Sequence, residues 1–176
     1  MSTYKNFRIA LIVVGLVALP LGQAVADDED EYEAAKWKEV EFQLPTPPKE
    51  QNLIPVYVSA AAENRFFVDS TSISVGSDGI VRYTLLVVTQ DGVRNVSYEG
   101  MRCETRERRF YASGRPDGTW SKSRNNRWAR VQESAYNRYH AALFQDCFCP
   151  DGVIVRNADE ARGLLRRSGR PSSAGG

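Results

Sequence analysis

The stretch Ile80-Val81-Arg82-Tyr83-Thr84-Leu85-Leu86-Val87-Val88-Thr89, with Gln90-Asp91-Gly92 after it and Val93 to Cys103 beyond, decides the fold. Successive side chains of a strand point to opposite faces. The run Leu85-Leu86-Val87-Val88 is apolar at both parities, so a strand here needs cover on both faces, as a central strand has. Gln90-Asp91-Gly92 carries hairpin-turn chemistry, and Val93 to Cys103 forms the returning strand. The expected seed is an antiparallel pair buried inside a sheet.

The same grammar extends in both directions. Upstream, Gly76-Ser77-Asp78-Gly79 is a tight turn, Ile73-Ser74-Val75 is extended, and Arg65-Phe66-Phe67-Val68-Asp69 is a strand. Leu53 to Val58 is a further short strand, with Pro55 arguing for a sheet edge. Val40-Glu41-Phe42-Gln43-Leu44 alternates like a half-buried strand, and Pro45-Thr46-Pro47-Pro48 ends it as an extended linker. Downstream, Glu107 to Ala112 goes out again, residues 114–118 turn, and Thr119-Trp120-Ser121 follows. Past Trp128 the period changes. Tyr136, Tyr139, His140, Leu143 and Phe144 have helical spacing. Phe148 and Cys149 precede a turn at Pro150-Asp151-Gly152, and Val153-Ile154-Val155 reads as short and extended. Asn157 with Glu160 is a capping box that opens a helix running to about Arg167. The expected class is α+β: an antiparallel β-meander sheet covered by one or two C-terminal helices.

The N-terminus has the order of an export signal. Lys5 and Arg8 precede an apolar run from Ile9 to Leu21, and Gln23-Ala24-Val25-Ala26 offers an A-x-A exit. Thirteen helical residues rise about 20 Å, short of a hydrocarbon core of about 30 Å. Cleavage after Ala26 and a periplasmic location are expected, with no membrane span in the mature chain. The organisation expected is signal peptide 1–26, acidic segment and Pro-rich linker 27–50, one α+β domain 51–167, and a disordered tail 168–176.

Export changes how the three cysteines read, because an oxidising compartment favours pairing. Cys147 and Cys149 sit two apart, so on an extended strand they share a side and bond poorly to each other. One of them is therefore expected to reach Cys103, leaving a buried thiol. Cys147-Phe148-Cys149 has only His140 nearby as a further ligand, too few for zinc. His140 as a base for Cys147 is disfavoured, because a reactive thiol needs a lowered pKa. No metal, cofactor or catalytic residue is expected, and no nucleophile-elbow, phosphate-loop or zinc-protease motif occurs.

Charge is balanced overall but uneven along the chain. Lys and Arg number 23 against 22 Asp and Glu, with one His. Residues 27–50 hold nine acids and three bases, whereas residues 102–138 hold ten bases and four acids. Arg102, Arg106, Arg108, Arg109, Arg124, Arg127 and Arg130 are therefore candidates for an anion-binding face, for polysaccharide or lipid headgroups. The bland alternative is a solvated sheet face. Export argues against nucleic acid as the partner.

Several separate motifs then carry a resemblance. Phe42-Gln43-Leu44-Pro45, Arg65-Phe66-Phe67-Val68-Asp69, Asp78-Gly79-Ile80-Val81-Arg82-Tyr83-Thr84 and Asn95-Val96-Ser97-Tyr98-Glu99-Gly100-Met101-Arg102-Cys103 form its first half. Arg138-Tyr139-His140-Ala141-Ala142-Leu143 and Phe148-Cys149-Pro150-Asp151-Gly152 form its second. Together, over residues 36–167, they resemble the cryptic neisserial protein family of proteobacterial envelope proteins. The resemblance implies an envelope protein with no known activity or cofactor. It also implies that Cys103 and Cys149 are the paired cysteines, with Cys147 a departure. The function expected is a non-enzymatic binding or structural module that meets another envelope protein or a surface component. The Arg-rich anion binder is the second reading and an unrecognised envelope enzyme the third.

Overall fold

The computed structural model describes residues 37–134 and 138–169, and every element below belongs to the unit that begins at Lys38. The expected signal peptide and cleavage site, the acidic residues before Trp37, Tyr136 and the end of the tail lie outside the described residues. Eight strands form one antiparallel sheet: β1 Leu53–Val56, β2 Arg65–Asp69, β3 Ser74–Val75, β4 Ile80–Val88, β5 Arg94–Arg102, β6 Glu107–Gly114, β7 Trp120–Lys122 and β8 Ala129–Arg130. The order is β1-β2-β4-β5-β6-β7, with β3 beside β4 and β8 beside β6. Two helices follow, α1 Arg138–Ala142 and α2 Ala158–Ser168.

The central hairpin forms as its residues require. All of β4 is buried except Val87. Gly92 closes the turn to β5 at φ 82°, a backbone state that glycine adopts without a Cβ penalty. The β4–β5 register is unbroken from Ile80 opposite Arg102 to Val88 opposite Arg94.

One sheet face carries the helices. Val56, Val68, Val81, Tyr83 and Met101 pack there against Leu143, Phe144, Phe148, Ala161 and Leu165. The Tyr83 and Phe148 rings sit 4.7 Å apart. Asn157 caps α2 by accepting from the Glu160 backbone N–H, 3.0 Å away. The Glu160 carboxylate reaches past the cap to the Arg156 N–H at 2.7 Å. Cys103, just after β5, is disulfide-bonded to Cys149 across a separation of 46 residues.

The other face is covered by chain rather than by helix. Residues 38–48 cross it extended, as a strap, but form no ladder. The strand expected at Val40–Leu44 is thus corrected: Phe42 and Leu44 turn inward but Val40 is exposed, and the strap's partners are mainly side chains. The Val40 N–H donates to Asp78 Oδ2 at 2.9 Å, and Trp120 Nε1 donates to the Pro45 carbonyl at 2.7 Å. Glu39 takes Arg82, Arg109 and the Tyr111 hydroxyl, and Phe42 lies 4.4 Å from the Tyr111 ring.

The segment after α1 also differs from its expectation. Leu143–Phe148 is a single π-helical turn, not a continuing α-helix, and Cys147 lies inside it. Two residues of helix rotate a side chain by roughly half a turn, so Cys147 in the turn and Cys149 at its end do not share a side. Cys147 Sγ instead meets Ser168 Oγ at 3.2 Å. Val153–Val155 stays outside the sheet and is held by the Val155 N–H on the Phe148 carbonyl.

Candidate functional site

Three strands and one short helix bring polar groups to one place on the helix-bearing face. Glu99 is central in β5, opposite Tyr83 of β4. Alternation puts Ser97 on the same face. The β6 register sets Phe110 beside Glu99 and Arg108 beside Met101. Tyr139 and His140 come from α1, which Ala141, Leu143 and Phe144 anchor into the core.

Glu99 is 3% exposed and His140 is 1% exposed. His140 Nε2 lies 2.8 Å from Glu99 Oε2. The Tyr83 hydroxyl donates to that same oxygen at 3.1 Å, and the Ser97 hydroxyl donates to Oε1 at 2.7 Å. Burial alone would push the carboxyl up. The neighbouring His140, the hydrogen bonds from His140 and Ser97 and the charge of Arg108 outweigh it and hold Glu99 below the usual carboxylate range. An ionised carboxylate can only accept, so the proton between the pair sits on Nε2. His140 Nδ1 is buried and meets no partner among the described residues.

The surrounding phenols are kept neutral. Burial, then the Glu99 charge, raises Tyr83 well above its ordinary value. The same two causes push Tyr139 up to about 12. Tyr139 is in turn stacked on Phe66, with ring centres 4.8 Å apart and planes 19° from parallel.

These groups border a cavity of about 350 Å³, lined among others by Leu85, Ser97, Glu99, Arg108, Phe110 and His140. A neighbouring cavity of about 750 Å³ shares Val87, Asn95 and Tyr139 with it. Its far wall is the loop after β1, with Val58, Ala61 and Ala62. The two adjoin as one elongated cleft: Glu99, Arg108 and His140 lie at the β5–β6 end, and the Phe66 end mixes Val58, Ala61 and Ala62 with Glu63 and Arg138. A third cavity of about 400 Å³, between Pro47-Pro48 and Trp120, is lined by no buried titratable side chain. A buried titratable cluster bordering a cleft is the stronger candidate for a site.

The seven arginines marked in the sequence are distributed over both sheet faces. Arg102 pairs with Glu104 at 2.5 Å and Arg106 with Glu133 at 2.8 Å. Arg109 points to the strap face, where it meets Glu39 and lies 5.8 Å from the Trp128 ring centre. Arg124, Arg127 and Arg130 are exposed, the first two between β7 and β8 and the third in β8. Of the seven, Arg108 alone lines the cleft. It is half-buried and makes no hydrogen bond or ion pair among the described residues. Cys147 takes no part: its thiol is fully buried, which pushes it up to about 12.

Sequence context does not single out Glu99, Tyr83 or Ser97, and it sets His140 near Cys147 rather than Glu99. The available signal is slight: one acid inside an otherwise uncharged strand core, and one histidine on the apolar side of a helix, 41 residues apart. Among the described residues no three of His, Cys, Asp and Glu converge as a metal site would require.

No curated protein and no solved structure matches the chain. The profile of the CNP1-like family matches residues 32–166, a span that includes all eight strands, α1, the disulfide and the cleft. With most of its length matched in this way, the chain belongs to the CNP1-like family.

Proposed function

We propose that this is an exported, periplasmic binding module that holds a small ligand in the Glu99–Arg108–His140 cleft without transforming it. Export is supported by the basic start, the short apolar run and the A-x-A exit before Asp27. It is also supported by the Cys103–Cys149 disulfide, a bond favoured in oxidising compartments. Among the described residues no helix is long and apolar enough to cross a membrane. The observation that carries the binding role is the cleft itself, with a half-buried Arg108 that makes no ion pair among the described residues and an aromatic wall beside it.

Binding is favoured over catalysis because the titratable groups are already engaged with one another. Three donors occupy the Glu99 carboxylate, His140 Nε2 is committed to it, and the thiol that could act as nucleophile is buried elsewhere. The test is to pass a small-molecule extract of the envelope over the immobilised mature protein and identify what is retained. Compounds held by the wild type, lost from an Arg108→Gln variant and released unchanged support the assignment. No retained compound, or release of a chemically altered one, overturns it. Cell fractionation with intact-mass measurement tests the location: the expected chain starts at Asp27 in the periplasmic fraction, and a chain that still carries residues 1–26 would refute export.

A further inference from the structure

Within that binding role, the electrostatics of the cleft assign the ligand a class. Three guanidiniums line the two joined cavities, those of Arg94, Arg108 and Arg138, against the carboxylates of Glu63 and Glu99. Glu99 is not available to a ligand cation, because it is buried and already accepts from Tyr83, Ser97 and His140. Arg94 is tied to Glu50 at 2.5 Å. Arg138 is exposed and lines only the larger cavity, so Arg108 is left as the half-buried cation at the inner end of the cleft, with no ion pair or hydrogen bond among the described residues. A planar guanidinium matches a carboxylate as a two-bond fork and is weakly hydrated, so it recognises carboxylates at half-buried sites.

The sheet side of the cleft offers a surface for a non-polar body. Leu85 and Val87 form the floor beside Arg108, Phe110 and Tyr139 stand at its sides, and the floor continues to Phe66. Tyr139 is fixed by its contacts with the Phe66 and His140 rings, so it forms a preformed aromatic wall. A small inorganic anion would leave this apolar length unfilled.

We propose that the cleft binds an organic carboxylate with an aromatic or medium-chain aliphatic body, its carboxylate on Arg108 and its body along Tyr139 and Phe66. The assignment rests on the cleft being a binding site, and the test separates the two. The mature protein is titrated with benzoate and octanoate, and in parallel with benzamide and octanamide, which keep the bodies and lack the charge. Amide N–H shifts are followed by two-dimensional NMR.

The expected result is that the acids perturb Ser97, Glu99, Arg108 and Tyr139. They should bind at least about tenfold more tightly than their amides, the range of one hydrogen bond to a charged group. Arg108→Gln should abolish that preference while the protein stays folded with its disulfide intact, and Arg108→Lys should keep part of it. Equal binding of acids and amides at these residues overturns the carboxylate assignment and leaves the cleft as a binding site. Perturbation by neither pair also overturns it, and the retention experiment then decides independently whether the cleft binds anything. If Arg108→Gln does not fold, a salt titration of the wild type replaces it: acid binding must weaken with salt while amide binding does not.

Discussion

At the scale of single residues, the molecule's most exacting demand is the Glu99 carboxylate. A buried carboxylate costs several kcal/mol unless it is fully hydrogen-bonded, and here Tyr83, Ser97 and His140 supply the donors. Its folded pKa lies below the ordinary carboxyl value. A depressed carboxyl pKa contributes stability that is present above the unfolded value, about 4.3, and is lost as pH falls through the folded value. Glu99→Gln should therefore cost about 1–3 kcal/mol at pH 7 and should flatten the loss of stability on the acid side of pH 4.3. Urea midpoints measured from pH 7 down to pH 3 check this, and parallel curves for variant and wild type would refute it. Cys147 gives a second prediction at this scale. Its thiol, pushed up to about 12 by burial, should resist iodoacetamide at pH 8 in the folded protein and take up one label in urea. Rapid labelling of the native state, seen by intact mass, would show that the thiol is accessible.

At the scale of elements, what was legible in the sequence follows the range of the interaction. The β4–β5 hairpin, its Gly92 turn and the α2 cap are local, written within a few neighbouring residues, and the structure has all three. The strap looked like a strand because Phe42 and Leu44 alternate with polar residues, yet its contacts are with Asp78, Tyr111 and Trp120, tens of positions away. Periodicity reports which side of a segment is buried, not whether its backbone finds a ladder. The π-turn at Leu143–Phe148 has no sequence signature, and it decides which cysteine faces Cys103. The candidate site was the least legible, because Glu99 and His140 meet through tertiary packing alone. The disulfide closes a separation of 46 residues. Chain-entropy reasoning gives it about 4 kcal/mol of stability. A Cys103→Ala/Cys149→Ala variant should lose about that amount in denaturant titration. A loss under about 1 kcal/mol would mean that α1 and the π-turn hold this region without the bond.

At the scale of the whole molecule, the sheet is a central layer whose two faces are covered by different means. Helices cover one face through apolar packing, and the strap covers the other through a mixed polar and aromatic network. Arg82 is the hinge of that network: its side chain is 3% exposed, it pairs with Asp78 at 2.6 Å and with Glu39 at 3.1 Å, and it sits 4.9 Å from the Phe42 ring centre. Two of those three partners belong to the strap. A domain taken to begin at residue 51 would therefore leave a buried guanidinium half-compensated and would uncover Tyr98 and Tyr111, while a domain beginning at Lys38 keeps both intact. A chain starting at Gln51 should be less stable than one starting at Asp27 by roughly 2–4 kcal/mol, combining lost aromatic burial with a broken buried ion pair. Phe42→Ala in the longer chain should reproduce part of that loss, because it removes the ring while keeping Glu39. Denaturant midpoints of the three chains decide the matter. If the chain from Gln51 matches the chain from Asp27, Arg82 is satisfied by Asp78 alone and the strap is dispensable to the fold. If it falls short by the expected amount, the segment before β1 is structural, and the domain begins at the strap rather than at the first strand.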